Sequence, residues 1–132
     1  MTIKRQNPPG MHVPPGYHHV TVTSAPRTVY LAGQCPLLPD GSLAAGGVLA
    51  QTDQVAANTA RALEHAGATP ADVVRTVIYV VTEDREVLSS VWARLNASPI
   101  AAAFSSASTL LGVAQLGFPG QLVELDVTAA LE

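Results

Sequence analysis

From Tyr17 the stretch YHHVTVT sets polar against apolar side chains at a period of two, the pattern of a half-buried strand. TVYLAG, after a turn at Pro26-Arg27, predicts a second strand, and the two together predict a hairpin. Between Cys35 and Gly47 the turn signals PDG and GG predict a loop or a short edge strand. The period then changes. Val55, Ala56, Thr59, Leu63 and Ala66 recur at helical spacing, with Gly67 placed just past the helix end. Thr69-Pro70-Ala71-Asp72 has the order of a cap, a first-turn proline and an acidic third position, so it predicts one short turn. VVRTVIYVV, from Val73, is almost continuously apolar and β-branched, as expected of a strand covered on both faces. A second helix is predicted from about Asp84, with Val87, Leu88, Val91, Trp92 and Leu95 as its apolar stripe and Thr82 or Asp84 as its cap. SASTLLGVA and QLVELDVTAAL are the last two strands, joined through Phe118-Pro119-Gly120. The predicted order is ββαβαββ, an α+β class in which both helices cover one face of a mixed sheet.

That arrangement gives the last strand two unlike sides. Val123, Leu125 and Val127 suit the helix layer, while Leu122, Glu124, Asp126 and Thr128 face away from it. Glu124 is therefore expected outside the helix-covered core, on a sheet face that a partner subunit has to cover. Residues 1–16 hold four prolines and two glycines, and predict an extended N-terminal arm rather than a regular element. Residues 17–132 are expected to form a single domain.

Composition sharpens this picture. Only 13% of the 132 residues are charged against 48% hydrophobic, which fits one domain whose outside is partly covered by copies of itself. Net charge is −3, and the seven basic residues are scattered, so a nucleic-acid partner is not expected. The single cysteine, Cys35, excludes an internal disulfide. The start lacks the apolar core of a signal peptide and no apolar run spans a bilayer, so a cytoplasmic protein without a membrane partner is expected. No cofactor is called for. His18 and His19 are neighbours on a predicted strand, so they point to opposite faces and cannot chelate one ion; His12 and His65 have no ligand spacing with them, and no metal is expected. Asp53, Asp72 and Asp84 fit helix starts.

Four segments, in order, carry a family resemblance: Pro15-Gly16-Tyr17, VYLAGQ from Val29 to Gln34, NTARALEHAGATPADVVRT from Asn58 to Thr76, and TLLGVAQLGFPGQLVELDVTA near the end. Through them the chain resembles the Rid family (YjgF/YER057c/UK114). The resemblance implies a chorismate-mutase-like fold, a homotrimer closing around a central barrel, and small-molecule clefts between subunits. It further implies hydrolysis of reactive enamines or imines, with Glu124 and Tyr17 placing the attacking water. In the family an arginine in a P-A-R segment clamps the substrate carboxylate. Here that segment reads Ser106-Ala107-Ser108, so Ser108 stands in the arginine's place. Exchanging a bidentate guanidinium for one neutral hydroxyl costs about 2–5 kcal/mol of such a contact. The substrate expected here thus lacks that carboxylate. The other expectation is a trimeric binding or accessory protein without turnover.

Each candidate has a chemical and a structural reading. Glu124 is a general base for water, or a carboxylate that accepts backbone N–H bonds across an interface. Tyr17 positions water or ligand, or is a strand aromatic with a wet hydroxyl. Ser108 and Thr109 bind a polar ligand group, or are ordinary strand residues. Gly33 admits close approach of a ligand, or only marks a turn. Cys35 joins the substrate-binding group, or is a small buried side chain, since no basic neighbour activates it in the sequence.

Overall fold

The structure, a computed structural model, describes residues 2–132. Ten short elements follow one another, six of them strands and two of them α-helices, with two 3-10 turns between. The first strand, β1 (Ile3–Gln6), pairs antiparallel with β2 (Val20–Thr23) as a separate two-stranded ribbon. β3 (Arg27–Tyr30), β4 (Val73–Val81), β5 (Ala107–Val113) and β6 (Val123–Leu131) form the main sheet, in the order β3-β6-β4-β5. β6 is antiparallel to both neighbours, and β4 runs parallel to β5, so the sheet is mixed.

Both helices lie on one side. α1 (Gly47–His65) buries Val55, Ala56, Thr59 and Leu63, the predicted stripe, while Ala66 is its half-buried C-cap. Gly67 follows with φ +80, the left-handed position expected past a helix end. α2 (Arg85–Asn96) is capped by Asp84, whose carboxylate accepts the Glu86 N–H at 2.8 Å. Asp72 closes a reciprocal capping box with Thr69 on the 3-10 turn Pro70–Asp72. The core between layers contains Leu63, Val91, Leu95 and Phe104 against Ile78, Val80, Val123, Leu125 and Val127, all buried.

Four expectations need correction. The N-terminal arm is not wholly irregular, because Ile3–Gln6 finds a strand partner in Val20–Thr23. That pairing takes β2 away from β3, so the predicted hairpin does not form; β3 pairs instead with the end of β6, from Arg27↔Leu131 to Tyr30↔Thr128. β4 is buried on one face only within the chain: Thr76, Ile78 and Val80 are enclosed, whereas Val77, Tyr79 and Val81 are half-buried. Asp53 lies in the body of α1 and not at its start, where its carboxylate pairs with Arg94 of α2 at 2.7 Å.

Two irregularities place the site. Past β3 the chain stays alongside β6, through the Leu31 N–H to Val127 O bond and the Gln34↔Leu125 bridge. This sets Gly33 and Cys35 beside Glu124. On β4, a register shift between Val73 and Arg75 interrupts strict alternation, so that Val73 and Thr76 are both buried; from Arg75 onward the alternation is regular and puts Arg75 on the uncovered face with Val77, Tyr79 and Val81.

Candidate functional site

The six sequence candidates form two groups in one chain. Glu124, Gly33 and Cys35 make the first, and Tyr17, Ser108 and Thr109 the second. β4 lies between β6, which carries Glu124, and β5, which carries Ser108 and Thr109.

Glu124 is half-buried on the uncovered sheet face, flanked by buried Val123 and Leu125 as alternation requires. Its Oε1 accepts the Cys35 thiol at 3.2 Å and Gln121 Nε2 at 3.1 Å. Gln121 is itself fixed: its Oε1 accepts the Phe118 N–H at 3.1 Å and its Nε2 also donates to Val123 O at 3.1 Å. The Cys35 segment is held by Asn58 of α1, which donates to Cys35 O at 3.0 Å and Leu37 O at 2.9 Å. Oε2 has no hydrogen-bond partner among the described residues, and it faces Gly33. A Cβ on Gly33 would overlap the carboxylate, so glycine is required here for space and not for backbone conformation. The Cys35 thiol is pushed up to about 11, first by burial and then by its hydrogen bond to Glu124 and that group's negative charge. It is a protonated donor at neutral pH and not a nucleophile.

The second group surrounds a cleft of about 550 Å³ at the β5 edge of the sheet, lined by Pro15, Tyr17, Ser89, Trp92, Ser108, Thr109 and Leu110. Gly16, with φ +105, turns the chain so that Tyr17 reaches it. Trp92 of α2 donates its indole N–H to Pro15 O at 3.1 Å, which ties the proline-rich segment to the helix. Tyr17 and Trp92 meet nearly at right angles, 85° apart with ring centroids separated by 6.2 Å. The Tyr17 hydroxyl lies 3.4 Å from His12 Nε2.

Ser108 and Thr109 part company. In register, Ser108 stands opposite Thr76, whose hydroxyl donates to Ser108 Oγ at 2.6 Å, and Ser108 in turn donates to Ser106 O at 3.0 Å. Its proton is thus committed within the chain, and it is not available as a ligand donor in this arrangement. Thr109 accepts from Arg75 Nη2 at 2.8 Å. Gln121, Trp92, Asn58 and Arg75 were not singled out as site residues from the sequence. Arg75 carried a usable signal, being the only charge in a nine-residue apolar strand, and Trp92 another, being the only tryptophan. Gln121 and Asn58 carried none, because their roles depend on contacts between segments far apart in the chain.

The family described as Endoribonuclease L-PSP matches residues 12–131, and the chain belongs to it. Solved relatives place the same fold under the Rid and YjgF/YER057c/UK114 names. The Rid-family protein YyfB of Yersinia pestis is 38% identical, with 99% of this chain and 100% of that one covered at a TM-score of 0.89. YyfA of the same organism is 28% identical over 90% of each chain, at a TM-score of 0.68. A Mycobacterium tuberculosis member of the YjgF/YER057c/UK114 family is 29% identical, covering 89% of this chain and 88% of its own, at 0.60. No curated protein matches the sequence. No helix among the described residues is long and apolar enough to cross a membrane.

Proposed function

We propose that this protein hydrolyses a reactive enamine or imine, in a cleft completed by a neighbouring copy within a homotrimer. Family membership supports the class. The single observation that carries the chemistry is the Glu124 carboxylate, with Oε1 held by Cys35 and Gln121 and Oε2 left without a partner beside Gly33. Such a carboxylate is oriented before substrate arrives and has one oxygen free for water. Because β4 separates it from the aromatic cleft in one chain, a second copy must bring its own cleft against Glu124 for both to act on one molecule.

The water oxygen bonds to the carbon of the C=N group, and its proton passes through Glu124 to the nitrogen. From the resulting carbinolamine the hydroxyl proton follows the same route. The C–N bond breaks, and the products are a carbonyl compound and ammonia. Tyr17 steadies water or ligand at the opposite wall. The test is ammonia release from a panel of enzymatically generated imines. Acceleration over buffer that disappears in Glu124→Ala supports the reading; no acceleration for any imine overturns it. The same separation favours a second reading, a trimeric binding or accessory protein whose cleft works without Glu124. It would show ligand-dependent thermal shifts and no product.

A further inference from the structure

The hydrogen-bond roles of Ser108 are set by the strand beside it. Thr76 stands opposite Ser108 on β4 and is fully buried, and Ser108 Oγ, at 2.6 Å, is the one partner of its hydroxyl among the described residues. If Ser108 were the donor in that pair, the Thr76 proton would be left unpaired where no water reaches it, a costly arrangement. Thr76 therefore donates and Ser108 accepts. The Ser108 proton goes to Ser106 O at 3.0 Å. Ser106 is a fixed acceptor, because it is buried and its own hydroxyl donates to Val73 O and receives Arg5 Nε at 2.8 Å.

A serine hydroxyl has one proton and two lone pairs. Here the proton and one lone pair are spent, and one lone pair is left. Its direction follows from the sheet. Thr76 lies on the inner neighbour of β5, Ser106 precedes Ser108 along the chain, and β5 is an edge strand. What stays open is the outer edge, on the side of α2, where Leu88 stands over Gly112 two positions beyond Leu110. That is where the cleft lies, and Ser108 is half-buried in its wall. Trp92 adds ring surface and no donor, since Pro15 O takes its N–H.

We infer that Ser108 Oγ is a hydrogen-bond acceptor for the ligand: the molecule in the cleft turns an N–H group towards β5 and rests a flat apolar body against Trp92 and Tyr17. The ligand class is an amide, enamine or heteroaromatic compound that keeps a hydrogen on nitrogen. This rests on the cleft being a ligand site, as the proposed function has it, with or without turnover. Ser108 is the specificity-determining residue, and Thr76 a positioning residue that acts through it.

Pyrrole and furan test this, being flat rings of nearly one size of which the first offers an N–H where the second offers an oxygen. Trp92, the only tryptophan, lines the cleft, so its fluorescence reports their binding without any turnover when each is titrated into the intact chain. Pyrrole should give a saturable change and bind about tenfold more tightly than furan. Ser108→Ala should bring pyrrole down to the level of furan and leave furan little changed, while Ser108→Thr should keep the preference by keeping the hydroxyl. Because Ser108→Ala strands the buried Thr76 proton, Thr76→Val is combined with it; the double variant removes both partners and should show the same loss of preference in a fully folded protein. Equal or tighter binding of furan in the unaltered protein would overturn the inference. So would a pyrrole preference that survives in the double variant, or the absence of saturable pyrrole binding. None of these outcomes touches the hydrolase reading, which stands or falls on ammonia release and Glu124→Ala.

Discussion

The Glu124 corner and the Tyr17–Trp92 cleft are built on opposite principles. Around Glu124 almost every polar atom is committed: Cys35, Gln121 and Asn58 form a continuous set of hydrogen bonds, and Gly33 leaves only the space the carboxylate fills. Around the cleft the walls are rings and hydroxyls with a roomy volume of about 550 Å³ between them. The first is suited to holding one charge in one place, the second to admitting a molecule. A hydrolytic site needs both, and the fold keeps them on separate strands of one sheet.

The largest expected effect comes from removing the charge while keeping the shape. Glu124→Gln should lower imine turnover by roughly 10²–10⁴-fold, the usual range for a general base, with the fluorescence of Trp92, which lines the cleft, little changed. A change in Trp92 fluorescence alongside the lost turnover would mean that the corner shapes the cleft, and the contrast between the two regions would collapse. Next is Gly33→Ala, whose methyl group meets the carboxylate directly. Either Glu124 or the backbone must shift, at about 1–3 kcal/mol of stability, measurable by urea unfolding. Turnover should fall with it, because the displaced carboxylate loses Cys35 and Gln121 as partners.

The same contrast explains what could be foreseen from the sequence. Alternation on β6 was enough to put Glu124 outside the core, because burial of Val123, Leu125 and Val127 decides the side. Helix stripes and caps were legible for the same local reason, as at Asp84 and Thr69-Asp72. Strand partners were not. β2 and β3 look like a hairpin in sequence, and only the competing partners β1 and β6, distant in the chain, separate them. Ser108 and Thr109 were indistinguishable as neighbouring hydroxyls. Their roles diverge through Thr76 and Arg75, which alternation sends to opposite faces of β4, and neither segment of sequence announces that β4 and β5 are paired in this register.

A smaller effect tests how the cleft wall is held. Trp92→Phe keeps a ring against Tyr17 and Phe104 but removes the N–H that binds Pro15 O. The expected cost is about 0.5–1.5 kcal/mol, one hydrogen bond, read as a lower urea midpoint with an unchanged slope. Glu124 turnover on a small imine should respond less than the stability does. A loss comparable to that of Gly33→Ala would show that the proline-rich segment is tied to the corner as well as to the cleft.

The finest test uses Cys35, because its proton reports the corner directly. Burial is the largest cause of its raised value, followed by the hydrogen bond to Glu124 and the carboxylate charge. In the unfolded chain the thiol ionises near its ordinary value of 9.0, and in the folded protein only at about 11. Between those values the unfolded state binds fewer protons than the folded one, so stability falls as pH rises through the window and levels off above it. Ultraviolet absorbance of the thiolate during a pH titration should therefore show a midpoint near 11. Glu124→Ala should lower that midpoint by removing both the acceptor and the charge, yet leave it above 9.0 because burial remains. A midpoint at the ordinary cysteine value in the unaltered protein would mean that the thiol does not reach Glu124, and that Gln121 alone orients the carboxylate.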